Sequence, residues 1–142
     1  MKKTTINDYD FTNLVNVTRL VELIEQHLIN LYGHASHNTR DRKATDRRAA
    51  YYKCLIDTGK FSLKVISLVV QHGLKMKRPH NYSNLIAERK KAERFLTVRD
   101  GRFLIVYLDI QRMITEADKK GFSTEAINNI AKRIAPKPND DY

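Results

Sequence analysis

Apolar residues recur at intervals of three and four along most of this chain, a spacing that places side chains on one face of a helix. The first such stretch begins after Asp10, a good N-cap, and ends before Gly33. Tyr9 and Leu14 are placed for a hydrophobic staple across that cap. We therefore predict a core helix, with a homodimer contact as the alternative role of its apolar seam. The seam comprises Leu14, Val17, Val21, Ile24, Leu28 and Leu31.

A second helix is predicted from Thr39 to Asp57, before the breaker pair Thr58-Gly59. Its first half is almost wholly polar and its second half brings in apolar residues, so we predict a basic end that projects from the core. A projecting end of this kind can contact phosphates, and Tyr51 or Tyr52 would be available to stack on a base. A solvated helix tip without a partner is the alternative.

Two further helices are predicted in the middle of the chain. Residues 61–73 form a short apolar segment with Ser62 as N-cap, although its many β-branched residues leave a buried strand as the alternative. After a basic loop broken by Pro79, a helix capped by Ser83 runs to about Val98.

The most apolar stretch starts at Phe103 and keeps helical spacing as far as Ala117. Asp100 would cap this helix, although Asp100-Gly101 is also a good two-residue hairpin turn. We therefore predict an all-α fold, a single-domain bundle of about five to six helices over residues 1–135. The alternative is an α+β fold with a hairpin around Asp100-Gly101. Residues 136–142 contain two prolines and are predicted to be a flexible tail.

The segment from Ala117 to Arg133 resembles a helix-turn-helix motif. Ala117 would let two helices cross closely, Gly121 would end the first helix in the left-handed conformation, and Ser123 would cap the second. An ordinary helical hairpin has much of the same spacing. In a groove-reading unit the outward side chains would contact base edges. These candidates are Thr124, Glu125, Asn128, Asn129, Lys132 and Arg133.

Net charge adds a second, separate candidate surface. The chain has 26 Lys and Arg against 16 Asp and Glu, a formal net charge of +10. Two segments hold most of the excess: residues 38–48 have five basic and two acidic residues, and residues 75–94 have seven and two. Such clusters are typical of surfaces that contact phosphate. The predicted phosphate contacts are Arg40, Arg42, Lys43, Arg47, Arg48, Lys75, Lys77, Arg78, Arg89, Lys90, Lys91 and Arg94.

Other classes of function find less support in the sequence. No apolar run is long enough to span a bilayer and no signal-peptide core follows the first residues, so no membrane contact and a cytoplasmic location are expected. The single cysteine, Cys54, excludes an internal disulfide, and His34 with His37 lacks the cysteines or carboxylates of a metal site. Glycine-rich phosphate loops and catalytic motifs are absent, so we expect no enzyme and no cofactor.

Together these patterns predict a non-enzymatic protein that binds nucleic acid, DNA more than RNA, as a transcription regulator or an accessory factor. Its small size and basicity would suit a phage or plasmid product. The alternative is a helical interaction module whose basic face binds an acidic protein surface.

Overall fold

Six helices make up most of residues 11–134, the part of the chain that this computed structural model describes. The helices are α1 (Phe11–Tyr32), α2 (Arg42–Asp57), α3 (Leu63–Gly73), α4 (Tyr82–Thr97), α5 (Gly101–Lys119) and α6 (Thr124–Ala131). No strand occurs within residues 11–134, and the all-α prediction is confirmed. The predicted Asp10 cap, the staple from Tyr9 and the tail 136–142 lie outside the described residues.

The two N-terminal helices organise the packing. α1 packs against α3, α5 and α6, and α2 packs against α3, α4 and α5. The seam of α1 is buried from Val17 to Leu28, which confirms the prediction of a core helix, but Leu31 at its end is 56% exposed. α1 and α3 approach closely at Gly73, where a Cβ atom would lie only 2.5 Å from Cγ1 of Val21.

Both strand alternatives are wrong, because local caps favour helices. The Ser62 hydroxyl accepts a hydrogen bond from the backbone N–H of Val65 and starts α3. The Asp100 carboxylate accepts one from Phe103, so Asp100 and Gly101 begin α5 and do not form a hairpin turn.

Two predicted helix starts are wrong by a few residues. α2 begins at Arg42 and not at Thr39, because the Asp41 carboxylate accepts from the backbone N–H of Lys43 and Ser36 and so holds the chain in a turn. α4 is capped by Asn81 and not by Ser83, whose hydroxyl instead donates to the Asn81 side chain.

The polar first half of α2 does not project into solvent as predicted. Ala44, Asp46, Arg47 and Arg48 are all buried against the rest of the bundle. Asp46 accepts a hydrogen bond from Arg42 on the same helix, and Arg47 and Arg48 donate to backbone carbonyls of the link before α2, so burial does not leave this half of the helix without hydrogen bonds.

Candidate nucleic-acid interface

A groove of about 550 Å³ lies between the link that joins α1 to α2 and the loop that joins α3 to α4. We call it the basic groove. It brings together four basic side chains, two histidines and three asparagines, and no carboxylate is among the described residues that line it. The lining residues are His37, Asn38, Thr39, Arg40, Arg48, Met76, Lys77, Arg78, Pro79, His80, Asn81 and Asn84.

Hydrogen bonds hold the two sides of the basic groove at a fixed distance. The Asn38 side chain accepts a bond of 2.9 Å from the backbone N–H of Lys77, which joins the two loops directly. Arg48 on α2 donates a bond of 3.0 Å to the backbone carbonyl of His37. The Ser67 hydroxyl on α3 donates a bond of 2.7 Å to the carbonyl of His80. The two loops beside the groove are therefore bonded to each other, and each is also bonded to a helix, one to α2 and the other to α3.

A buried polar cluster supports the groove from below. The carboxylate of Glu25 on α1 accepts hydrogen bonds from Arg47 at 2.7 Å and from Tyr51 at 3.0 Å, and its Oε2 lies 2.8 Å from Nε2 of His37. Arg47 also donates a 2.7 Å bond to the carbonyl of Gly33. The cluster therefore connects α1, α2 and the link that carries His37.

Glu25 is ionised in this cluster. Burial raises the pKa of Glu25, but the hydrogen bond and charge of His37 together with Arg47 outweigh burial, so the pKa lies below its ordinary value. The Arg47 side chain has 0% exposure and already binds this carboxylate. Its predicted role as a phosphate contact is therefore wrong, because the guanidinium has no access to solvent.

Arg48 combines burial with an incomplete set of hydrogen bonds. The residue is only 7% exposed, yet it lines the basic groove. Its Nε atom is buried and has no hydrogen-bond partner among the described residues. A buried guanidinium with an unused donor costs stability unless an acceptor reaches it. Arg48 is thus a fixed cation in the groove wall, and not the solvated side chain that its polar surroundings in the sequence predicted.

His80 forms another fixed part of the wall. Its Nδ1 atom lies 2.9 Å from the hydroxyl of Tyr52, and the two rings contact each other at 5.7 Å between centroids. Burial, followed by the charge of Arg48, lowers the pKa of His80, so the ring is neutral at neutral pH. Tyr51 and Tyr52 are both fully buried and cannot stack on a base as predicted, because they occupy the core and bind Glu25 and His80.

The twelve predicted phosphate contacts fall into separate groups. Arg40, Arg48, Lys77 and Arg78 meet in the basic groove, and all except Arg48 are exposed. The members of a second group already contact partners within this chain, mostly at the surface. Arg42 binds Asp46 and Asp100, Lys43 binds the carbonyl of Tyr32, Arg89 binds Asp57, Lys91 binds Glu88, and Lys75 lies 3.9 Å from Glu22. Lys90 and Arg94 are exposed on α4, outside the groove.

The turn between α5 and α6 has the predicted geometry. Gly121 has a φ of +64°, and its N–H donates to the carbonyl of Asp118 while that of Phe122 donates to Ala117. This is the pattern in which a left-handed residue ends a helix. The Ser123 hydroxyl caps α6, whose inward residues Ala126, Ile127 and Ile130 are buried as predicted.

The outward face of α6 is short and carries little net charge. The helix has eight residues, Lys132 is its C-cap, and Arg133 lies beyond it and binds Glu116 at 2.5 Å. Asn129 is half-buried, and the hydroxyl of Thr124 accepts a bond from Asn16 on α1. The other candidate base contacts, Glu125, Asn128 and Lys132, are exposed.

The structure does not combine the two predicted surfaces. α6 packs against α1 and α5, whereas the basic groove is formed by α2, the first turn of α4 and the segments before these two helices. Asn38, His80, Asn81 and Asn84 also line the groove but were not among the predicted contact residues. In the sequence, only their position within or beside the two basic segments indicated that they could belong to the same surface.

Two further features of the molecule bear on the candidate site. Within the part of the chain that the structure describes, no three His, Cys, Asp or Glu side chains are grouped so as to hold a metal ion. Among the helices of residues 11–134, none has the length and apolar content needed to cross a membrane. No protein-family model, curated protein or solved structure matches this chain.

Proposed function

We propose that this protein binds nucleic acid through the basic groove, as a regulator or accessory factor that does not itself catalyse a reaction. The observation that supports this proposal most is the convergence of two basic segments, remote in sequence, on one groove. Arg40 and Arg48 come from the first segment, and Lys77 and Arg78 from the second. Four cations without a carboxylate among them favour an anionic ligand with more than one charge.

Phosphodiester backbones fit this arrangement better than a single small anion does. Arg48 is fixed by burial and by its bond to His37, so it can bind a phosphate with little loss of side-chain freedom. Arg40, Lys77 and Arg78 are exposed around it and can follow successive phosphates along a strand. Binding would release condensed counterions from the nucleic acid, and this release makes the affinity depend on salt.

The α5–α6 unit supports the proposal less than the groove does. Of its six candidate base contacts, Thr124 and Arg133 already have partners within the protein and Asn129 is half-buried. A recognition helix also needs phosphate contacts beside it to position it in a major groove. The basic groove lies on other elements, so we assign the primary binding surface to the groove.

A salt titration tests the proposed function. The probe is a labelled DNA strand of about 20 nucleotides, longer than the roughly 4 to 16 that small binding modules cover. Four neutralised phosphates predict a log-log slope of the binding constant against salt of about −2.8 for a single strand and −3.6 for a duplex. Affinity should then fall about 50- to 150-fold between about 50 and 200 mM salt.

Failure of this titration has a definite meaning. If DNA and RNA, single-stranded or duplex, all fail to bind at the lowest salt, the proposed function is wrong. The acidic protein surface then becomes the leading candidate partner of the groove, and an acidic polypeptide should bind where the nucleic acids do not.

A further inference from the structure

An apolar pocket of about 390 Å³ adjoins the basic groove. The pocket and the groove share Pro79, His80 and Asn81, so the two cavities are separated by a single short segment of chain. The rest of the pocket lining consists of Lys64, Ser67, Leu68 and Tyr82, and most of the lining surface is apolar, unlike that of the groove. A ligand that crosses this segment would therefore pass from a cationic surface to a mostly apolar one.

Tyr82 gives the pocket an aromatic wall. It is the first residue of α4, and it is 49% exposed, although most aromatic side chains in the described part of the chain are buried or partly buried. The Asn81 side chain accepts from the backbone N–H of Asn84 and so fixes the start of the helix. An exposed aromatic ring on an anchored backbone can stack on a planar ligand without much loss of conformational freedom.

The segment between the cavities is also held in place. The carbonyl of His80 accepts a 2.7 Å bond from Ser67, and its ring lies 2.9 Å from the hydroxyl of Tyr52. His80 is thereby anchored through its backbone and its side chain. The relative position of groove and pocket is thus set by the bundle and does not depend on a ligand.

We propose that the basic groove and this pocket form one site for single-stranded nucleic acid, with phosphates in the groove and a base stacked on Tyr82. This inference rests on the proposed function of the groove. A nucleotide places a phosphate and an apolar planar base a few ångströms apart. The adjoining groove and pocket offer a cationic surface for the phosphate and an apolar surface for the base. A nucleic-acid strand carries a phosphate and a planar base in every unit, whereas a peptide would need an acidic and an aromatic residue at matching positions to fill both cavities.

The arrangement discriminates between single strands and duplexes. In a duplex both faces of each base are stacked on neighbouring bases, so no base can enter the pocket unless it leaves the helix. A duplex would contact the groove through phosphates alone. A single strand would gain a stacking contact in addition, which is tolerant of base sequence because every base has a flat aromatic face.

The test compares Tyr82→Ala with Tyr82→Phe on one DNA sequence, used as a single strand and as its annealed duplex at the same low salt. The wild-type protein should bind the single strand more tightly than the duplex, by up to the roughly 5- to 150-fold that one stacked base contributes. Tyr82→Ala should weaken single-strand binding about 5- to 150-fold, as expected for one lost stack, and leave duplex binding and the salt slope unchanged. Tyr82→Phe keeps the ring and should bind like wild type.

The outcomes separate this inference from the proposed function. Equal affinity for both forms, with Tyr82→Ala unchanged on the single strand, would refute the single-strand site and leave the groove proposal intact. A loss that is equal on single strand and duplex would also refute it, because Tyr82 would then support the fold of the groove. Circular dichroism melting of each variant shows whether the fold is unaltered. Absence of binding to any nucleic acid would refute both proposals.

Discussion

Glu25→Gln should destabilise the protein by about 3 to 5 kcal/mol, because it removes the charge that compensates a fully buried arginine. The Arg47 side chain has 0% exposure and lies 2.7 Å from the Glu25 carboxylate. Without this carboxylate the guanidinium would remain buried beside neutral groups. Chemical unfolding measures the change in free energy directly, and a loss of this size is a large part of the stability of a small domain.

Glu22→Gln is the matched control for this substitution. Glu22 lies one turn earlier on the same helix, its side chain is 41% exposed, and it is 3.9 Å from Lys75. We expect a change within about 0.5 kcal/mol there, as for most exposed positions. Adding Arg47→Met to Glu25→Gln should recover part of the loss, because no uncompensated charge would then be buried. Equal effects of Glu25→Gln and Glu22→Gln would contradict the account of the buried cluster.

The same cluster predicts a pH dependence of stability. The pKa of Glu25 is lower in the folded protein than its ordinary value of 4.5. Its ionised form therefore contributes stability above that value, and the contribution is lost as the pH falls through the folded pKa. Glu25→Gln should remove this contribution, so the free energy of unfolding of the variant should decrease less than that of the wild type as the pH falls through that range.

Arg40→Glu combined with Arg78→Glu should lower nucleic-acid affinity by about two orders of magnitude at low salt. The two side chains are exposed and come from opposite sides of the basic groove. Each reversal removes an attraction to phosphate and adds a repulsion, and each attraction contributes roughly 1 kcal/mol to non-specific binding. The salt slope should also become shallower by about 1.4 to 1.8, which is two phosphate contacts at 0.7 to 0.9 each.

Lys119→Glu with Lys120→Glu changes the net charge by the same amount at a distant place. Both lysines are exposed beside Asp118, which binds Lys60 just beyond the C-terminal end of α2, whereas the groove lies around the N-terminal half of that helix. We expect only a small loss of nucleic-acid affinity, which follows from the lower net charge of the protein. If the two double variants lose affinity equally, the protein binds by net charge and not through the groove. Thermal unfolding of both checks that the fold is retained.

The helices were predictable from the sequence because their signals are local. Hydrophobic spacing identified all six, and Ser62, Asp100 and Ser123 were correct as N-caps. The start of α4 was misplaced because Asn81 and Ser83 can both cap a helix. The choice between them depends on the preceding loop, which is fixed by the contact of His80 with α3.

The buried arginines were not predictable in the same way. In a polar run, Arg47 and Arg48 look like solvated residues, and the partners that bury them, Glu25 and the carbonyls of Gly33 and His37, lie in other segments. One signal was present. Glu25 is an acidic residue on the apolar face of α1 between Val21 and Leu28, which indicates a buried charge that needs a cationic partner.

The candidate site was only half predictable. Summing charge along the chain identified the segments 38–48 and 75–94, but their meeting depends on how α1, α2 and α3 pack. Only that packing separates Arg40 and Arg78, which reach the basic groove, from Arg42 and Arg89, which bind carboxylates within the protein.

The most direct measurement of the groove's role is an amide NMR titration of the labelled protein with a DNA strand of about 10 nucleotides, within the range that small binding modules cover. If the basic groove binds nucleic acid, the largest shifts should cluster in residues 37–48 and 76–84, with small shifts in 124–133. Shifts concentrated in 124–133, or no cluster in either groove segment at saturating DNA, would contradict the assignment of the binding surface to the groove.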